Sequence, residues 1–146
     1  MTDIEFSLIP DADSDYKTVE QLMQDFKHET GINVHLKRME WDDAWPQLIG
    51  IATQGQGVDV SHVGSTWVSS LMNMNALRPI PSHLVNKIGS EQAFVHSTWS
   101  SVMSEEDRNA YGIPLSAYVY IVAYRKDLLA KAVTGFNPAF SSRSLR

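Results

Sequence analysis

Apolar and polar residues alternate in two short segments near the start of the chain. Residues 4–8 and 32–36 carry an apolar side chain at every second position, which is typical of β-strands with one more apolar face. Between these segments, residues 16–26 carry apolar side chains three and four positions apart, which predicts a helix, and Thr30-Gly31 predicts its end. The order strand, helix, strand predicts a parallel pair joined by a right-handed crossover.

A third apolar run, residues 58–63, leads through a tight turn into another helix. A further helical pattern precedes this run, with Asp42 as a plausible N-cap. The run is rich in β-branched residues and predicts a buried strand, whose backbone we expect Asp59 to fix at the strand entry. Residues 64–66 predict the turn and residues 67–74 the next helix. Three strands on sequential crossovers predict an α/β fold with a mainly parallel, doubly wound sheet and helices on both faces.

The second half of the chain is less regular. Its pattern predicts helices at residues 82–88, 90–103 and 128–131. Residues 118–124 form a long run rich in tyrosine and β-branched residues, which predicts a strand that needs cover on both faces. Residues 133–146 contain turn residues without periodicity, so we expect them to be poorly ordered.

Composition narrows the range of functions. With 146 residues, of which 43% are hydrophobic, the chain is long enough for one ordinary domain. The net charge is −5 and the twelve Lys and Arg residues are scattered, which argues against nucleic acid as a partner. The segment from Met1 to Glu5 lacks the basic and apolar regions of a signal peptide, so we expect no export signal in this sequence. The absence of cysteine excludes disulfides and thiolate metal sites.

The sequence lacks the motifs of common enzyme classes. Its five histidines show neither His-x-x-x-His nor His-Glu-x-x-His spacing, and no Gly-x-Ser-x-Gly elbow occurs. Gly55-Gln56-Gly57 superficially resembles a dinucleotide loop, but it follows a predicted helix and lacks the third glycine and the phosphate-binding lysine. We therefore predict no catalytic residues, no metal site and no cofactor.

Several separate blocks of sequence, in one order along the chain, resemble one protein family. The blocks are TGINV at residues 30–34, GQGVDV to GSTWV at 55–68, NALRPI at 75–80, YGIP at 111–114 and YRKDLLAKA at 124–132. Together they resemble the extracellular solute-binding proteins of ABC importers, and most of all the sugar-binding group. The resemblance implies a periplasmic-binding-protein-like lobe of type II, a periplasmic or extracellular location, and the transmembrane subunits of an ABC permease as partners.

The resemblance also implies a division of the chain. Members of the family have two lobes that close on the solute, and they are considerably longer than this sequence. Residues 1–132 look like the first lobe alone, and residues 133–146 lie at the expected crossover to the second. We therefore expect solute binding to be impaired by truncation, because half of the ligand contacts and the hinge closure would be missing.

Candidate ligand-binding residues follow from the predicted sheet. In a doubly wound sheet, ligands bind in the loops beyond the carboxyl ends of the strands. A sugar presents hydroxyls and apolar C–H faces, so its site needs fixed polar acceptors beside aromatic rings. The residues of these types, with the turn glycine, are Asp13, Tyr16, Glu40, Trp41, Asp42, Gly64, Ser65, Thr66 and Trp67, together with Tyr118 from the later apolar run.

Several of these residues also have a purely structural interpretation. Asp42 is a plausible helix cap, and Trp67 shares a helix face with Leu71 and Met74. Tyr16 begins an apolar stripe, and Tyr118 belongs to a pair that could pack against a helix layer. The function has an alternative as well: a ligand-sensing or interaction domain that reuses the lobe, or a fragment that binds nothing. Dimerisation through an exposed strand at residues 118–124 would favour that alternative.

Overall fold

A computed structural model describes residues 2–119 and 121–132. The predicted tail, residues 133–146, lies outside the described residues, as does Tyr120. The chain divides into two compact units, the first ending at Leu115 and the second beginning at Ser116.

A three-stranded parallel sheet forms the base of the first unit. Its strands are β1 (Asp3–Leu8), β2 (Asn33–Arg38) and β3 (Val60–Ser61), in the order β2-β1-β3. The pairing of β1 with β2 covers the whole of both strands, whereas β3 pairs with β1 over two residues. The central place of β1 agrees with its burial, since its last two residues are buried and β2 has no buried residue. The predicted parallel α/β sheet is confirmed.

Two crossover helices connect the strands as the sequence predicts. Helix α1 (Asp13–Thr30) joins β1 to β2, and α2 (Trp41–Gln54) joins β2 to β3. Each helix ends at a glycine with positive φ, Gly31 at 73° and Gly55 at 64°. Their N–H groups donate to the backbone carbonyls four residues earlier, so one carbonyl at the end of each helix has a hydrogen-bond partner.

The strand predicted at residues 58–63 is shorter and less buried than expected. Only Val60 and Ser61 are in strand conformation, and Val60 is 49% exposed. The reason is its position, because β3 is an edge strand among the described residues and the pattern along one strand does not reveal its neighbours. The role predicted for Asp59 is confirmed, since its carboxylate accepts a 2.9 Å hydrogen bond from the backbone N–H of Glu5.

Short helices complete the first unit. They are α3 (Ser65–Asn73), α4 (Ser82–Lys87), a 3₁₀ helix (Glu91–Ala93) and α5 (His96–Ser100). The single helix predicted at residues 90–103 is therefore wrong. The backbone of Phe94 is extended, and its ring stacks on Trp99 with 5.3 Å between centroids, so an aromatic contact replaces the continuous helix.

Helix α3 lies between two clusters of buried side chains. On one side, Trp67 packs against Ile9 and Met39, which directly follow β1 and β2, and against Ala44 of α2. On the other side, Val68 belongs to a second buried cluster whose other members are Trp99, Val102 and Ala110. Because consecutive residues of its first turn are anchored in different clusters, the start of α3 is fixed relative to the sheet.

The second unit contains helix α6 (Lys126–Ala132). The predicted strand at residues 118–124 is wrong for the part of it that the structure describes, where no strand is assigned. Val119 is 84% exposed and Val122 is 90% exposed. A β-prone run becomes a strand only when a neighbouring strand pairs with it, and the described residues provide no such neighbour here.

Candidate functional site

The carboxyl ends of the three strands lie side by side, and nine of the ten predicted residues follow them. Backbone hydrogen bonds hold the strand ends together, from Met39 N–H to Leu8 O at 2.9 Å and from His62 N–H to Ser7 O at 2.7 Å. The starts of α1, α2 and α3 lie directly beyond. They carry, in turn, Asp13 and Tyr16; Glu40, Trp41 and Asp42; and Gly64, Ser65, Thr66 and Trp67.

Tyr118 is the tenth predicted residue, and it belongs to the second unit. Its side chain is exposed. A role for Tyr118 in solute binding therefore stays a prediction.

Four rings form a continuous aromatic group, called here the aromatic edge: Trp41, Trp45, His62 and Trp67. Trp41 meets Trp67 with 5.7 Å between ring centroids and an interplanar angle of 63°, and it meets His62 at 5.9 Å and 68°. Trp45 lies 5.4 Å from Trp67. These separations, and the edge-on angles of the two Trp41 pairs, are favourable for aromatic contacts, so the rings support one another.

The two tryptophans predicted as ligand residues differ in burial. Trp67 packs against the buried cluster at the end of the sheet, which gives it a structural role. Trp41 is 43% exposed, so part of its ring surface remains open to a ligand. Gly64 lies against both, since a Cβ atom placed there would be 3.4 Å from Trp67 and 3.5 Å from Trp41. A side chain at position 64 would therefore cover ring surface that glycine leaves accessible.

Arg38 organises the polar side of the same edge. Its guanidinium donates to the carboxylate of Asp13 at 2.6 Å and to that of Glu40 at 2.7 Å. The hydrogen bonds from Arg38 to Glu40, first, and to Asp13 raise the pKa of the guanidinium above its ordinary value. We call Asp13, Arg38 and Glu40 the charged edge. Its three side chains are exposed, and each carboxylate has lone pairs left for a ligand.

The ring of Tyr16 packs against the guanidinium of Arg38 and supports this arrangement. The guanidinium carbon of Arg38 lies 5.8 Å from the centre of the Tyr16 ring, which is within cation–π distance. The Tyr16 hydroxyl donates to the carbonyl of Leu36 at 3.2 Å, so its polar end is used to tie α1 to β2. Tyr16 therefore has an evident structural role in addition to the predicted one.

Asp42 is not the N-cap of α2, which corrects that interpretation of the sequence. The helix begins at Trp41, its N-cap residue is Glu40, and no side chain caps it. The carbonyl of Glu40 instead accepts the N–H groups of Asp43 and Ala44 at 3.1 and 2.9 Å. Asp42 is exposed within the first helical turn, where negative charge interacts favourably with the helix dipole.

Ser65 and Thr66 open onto a cleft of about 730 Å³ within the first unit, called here the polar cleft. One wall is the outer face of α3 and the other is formed by residues 100–111. The lining is rich in hydroxyl, amide and carboxylate groups: Ser65, Thr66, Ser69, Asn73, Asn75, Ser100, Ser101, Ser104, Glu105, Glu106, Asp107 and Tyr111, with Met72 and Met103. This volume is within the range of small-molecule sites.

Hydrogen bonds hold Asp107, an exposed residue that lines the polar cleft, in a fixed orientation. Its carboxylate accepts the backbone N–H of Asn109 at 3.0 Å and the hydroxyl of Tyr111 at 2.7 Å. These bonds, with the backbone bond to Asn109 contributing most, lower the pKa of Asp107 to about 2. Its carboxylate is therefore ionised at neutral pH and is available as a hydrogen-bond acceptor.

The assembled groups are suited to recognising a polar solute. The aromatic edge offers a partly exposed ring, the charged edge offers oriented carboxylates, and the polar cleft offers the hydroxyls of Ser65 and Thr66. Among residues 2–119 and 121–132, no group of three or more His, Asp or Glu side chains is arranged to hold a metal ion. Hydrogen bonding and stacking are the chemistry that these groups provide.

Sequence reasoning missed Arg38, His62 and the wall of the polar cleft. Arg38 is the last residue of β2 and His62 directly follows β3, so both lie at the strand ends where ligand residues were expected. Their positions at the strand ends could therefore have identified both as candidate ligand residues. Residues 100–111 carried no such signal. Antiparallel bridges of Ile80 and Met103 to Ala110, and the cluster that Val102 and Ala110 form with Val68 of α3, position this segment, and local patterns predict neither.

Residues 21–141 match the family model of the bacterial extracellular solute-binding proteins. The chain belongs to this family. Members of the family are binding proteins, not enzymes. None of the helices in the described part of the chain is long and apolar enough to cross a membrane.

Solved structures agree with this assignment at the level of the fold. The sugar-binding protein MalE from Xanthomonas citri is 21% identical, with a TM-score of 0.66 over 77% of this chain and 28% of that one. A cyclo/maltodextrin-binding protein complexed with maltotetraose is 15% identical, with a TM-score of 0.60 over the same shares. The predicted fold class, a periplasmic-binding-protein-like lobe, is confirmed.

Curated relatives are found in Brucella. A protein of Brucella abortus (strain 2308), named as an inferred binding protein, is 25% identical over 114 residues. A protein of Brucella suis biovar 1 (strain 1330) matches with the same values. The match covers 77% of this chain and 27% of each relative, so the chain spans about a quarter of the length of these proteins.

Proposed function

We propose that this chain is the receptor component of an ABC importer that binds a carbohydrate or similar polar solute and delivers it to a membrane permease. The family membership supports a solute-binding role outside the cell, in the periplasm or at the cell surface. Two of the similar solved structures are a sugar-binding protein and a cyclo/maltodextrin-binding protein, which favours a carbohydrate as the solute.

The observation that carries the proposal is the exposed part of the Trp41 ring beside Gly64. The ring is held by Trp67 and His62, and the neighbouring residue, Glu40, is oriented by Arg38. A sugar can place a C–H face on an aromatic ring while its hydroxyls donate to carboxylates. The binding residues in this proposal are Asp13, Tyr16, Glu40, Trp41, Asp42, Gly64, Ser65, Thr66, Trp67 and Tyr118, with Arg38 as an addition.

In this proposal residues 1–132 form the first lobe of a two-lobed receptor. The support is the length of the relatives, of which the match covers only about a quarter. In a two-lobed receptor the solute contacts both lobes, so residues 1–132 would supply part of the contacts. The permease would meet the receptor when the solute is bound.

A thermal-shift screen of the chain against mono- and oligosaccharides, polyols, amino acids and polyamines tests the proposal. A ligand at a hundred times its dissociation constant stabilises a protein by about 2.7 kcal/mol, so a sugar that binds will raise the melting temperature visibly. Trp41→Ala should weaken that binding by about 1 to 3 kcal/mol. Leu22→Ala, which removes an exposed apolar side chain from α1, is the matched control and should leave it unchanged.

The alternative is an interaction domain that reuses the lobe. The exposed apolar side chains of Val119, Ile121 and Val122 favour it, because exposed apolar runs promote association. A cooperative melt that no solute shifts, together with a dimer mass in light scattering, would support association through residues 118–124 and contradict solute binding.

A further inference from the structure

His62 is a half-buried histidine that the predicted set of ligand residues omits. It directly follows β3, and its Nδ1 atom lies 3.0 Å from the carbonyl oxygen of Ile9 and 3.3 Å from the backbone nitrogen of Ile9. With a proton on Nδ1 the ring donates to the carbonyl, and without one it accepts the N–H of Ile9. Either neutral form ties the residue after β3 to the fully buried residue after β1.

The His62 ring also meets Trp41. The two rings lie at 68° with 5.9 Å between their centroids, and Trp41 also meets Trp67 at 5.7 Å. Trp41 is partly exposed, so its orientation depends on the side chains that flank it rather than on complete burial. His62 connects this ring to the rigid end of the sheet.

We propose that His62 is a positioning residue that holds the Trp41 ring in the orientation that meets the solute, and that a change in the charge of His62 alters the surroundings of that ring. The link to the solute rests on the proposed function. The positioning itself is a property of the chain that can be measured without any solute.

The direction of the pH effect follows from the surroundings of His62. Burial lowers the pKa of His62 below its ordinary value of about 6.5, while its hydrogen bond to Ile9 and the charge of Asp11 oppose the shift. From the α2 side it faces the uncharged ring of Trp41. As the pH falls below about 6.5, the unfolded chain binds a proton before the folded chain does. The stabilising effect of neutral His62 is therefore complete above that pH and is lost as the pH falls through the folded pKa.

Nuclear magnetic resonance of the four tryptophan indole N–H groups tests this proposal on the whole chain. The Trp41 signal, identified with Trp41→Phe, should move between pH 7.5 and 5 in step with the imidazole signals of His62. His62→Asn keeps a polar group near the Nδ1 position and His62→Phe keeps a ring against Trp41, and neither titrates in this range. The movement should disappear in both variants and persist in His83→Asn, which changes an exposed histidine on α4.

Unfolding measurements at the same pH values give a second readout. The folding equilibrium constant of the native chain should fall, relative to that of His62→Asn, by up to about tenfold per pH unit between pH 6.5 and the folded pKa. A Trp41 signal that does not move while His62 titrates would overturn the proposal, as would a movement that survives in both His62 variants. Because no solute is present, these outcomes are independent of whether the chain binds a sugar.

Discussion

The aromatic edge and the charged edge lie at the same end of the sheet, but the fold uses them to different extents. Trp67 packs against buried Ile9 and Met39 and is flanked by two other indole rings. Asp13, Arg38 and Glu40 are exposed and make their ion pairs with one another. The aromatic edge therefore contributes both to stability and to the candidate site, whereas the charged edge can change with little cost to the fold.

Truncation of Trp67 should have the largest effect on stability. Trp67→Ala removes a half-buried ring that contacts the buried cluster, Trp41 and Trp45, so we expect the free energy of unfolding to fall by about 2 to 4 kcal/mol in denaturant titrations. Trp67→Phe, the control, keeps a ring in place and should lose less. If Trp67→Ala were as stable as the native chain, the aromatic edge would not be part of the core, and the contrast with the charged edge would disappear.

Replacement of Arg38 should have a smaller effect, and this effect should be on solute binding rather than on stability. Arg38→Met breaks two exposed ion pairs and leaves Asp13 and Glu40 without their common partner. We expect nearly native stability, because the broken ion pairs are exposed. Sugar binding should weaken, because the carboxylates lose their orientation, but the loss of affinity should be smaller than in Trp41→Ala. Lys37→Met breaks another exposed ion pair of β2, with Glu5, and is the matched control for a calorimetric titration. Equal affinities in the two variants would exclude the charged edge from the site.

The sheet and its crossovers could be predicted from the sequence because their signals are local. Alternation in β1 and β2 and the glycines that end α1 and α2 depend on neighbouring residues alone. The strand at residues 118–124 was predicted on the same kind of signal and is wrong in its described part. A strand also needs a partner, and β-propensity says nothing of whether a partner is present.

The location of the candidate site was predictable, but the contacts within it were not. Parallel strands place their carboxyl ends together, which brought Glu40, Trp41 and Trp67 to one edge as expected. The partners of Arg38 and His62 could not be found in this way. Arg38 meets Asp13 across 25 positions and His62 meets Ile9 across 53, so these contacts exist only once the sheet has formed.

The most direct test of the account is a titration with a sugar from the screen, followed through the indole N–H signals of the chain. Trp41 lies at the proposed site, whereas Trp99 is buried in the second cluster and provides an internal control. We predict that the Trp41 signal shifts with the sugar concentration and saturates at the affinity measured by calorimetry, while the Trp99 signal stays in place. A saturating sugar that leaves Trp41 unmoved would contradict the proposed site at the carboxyl edge of the sheet.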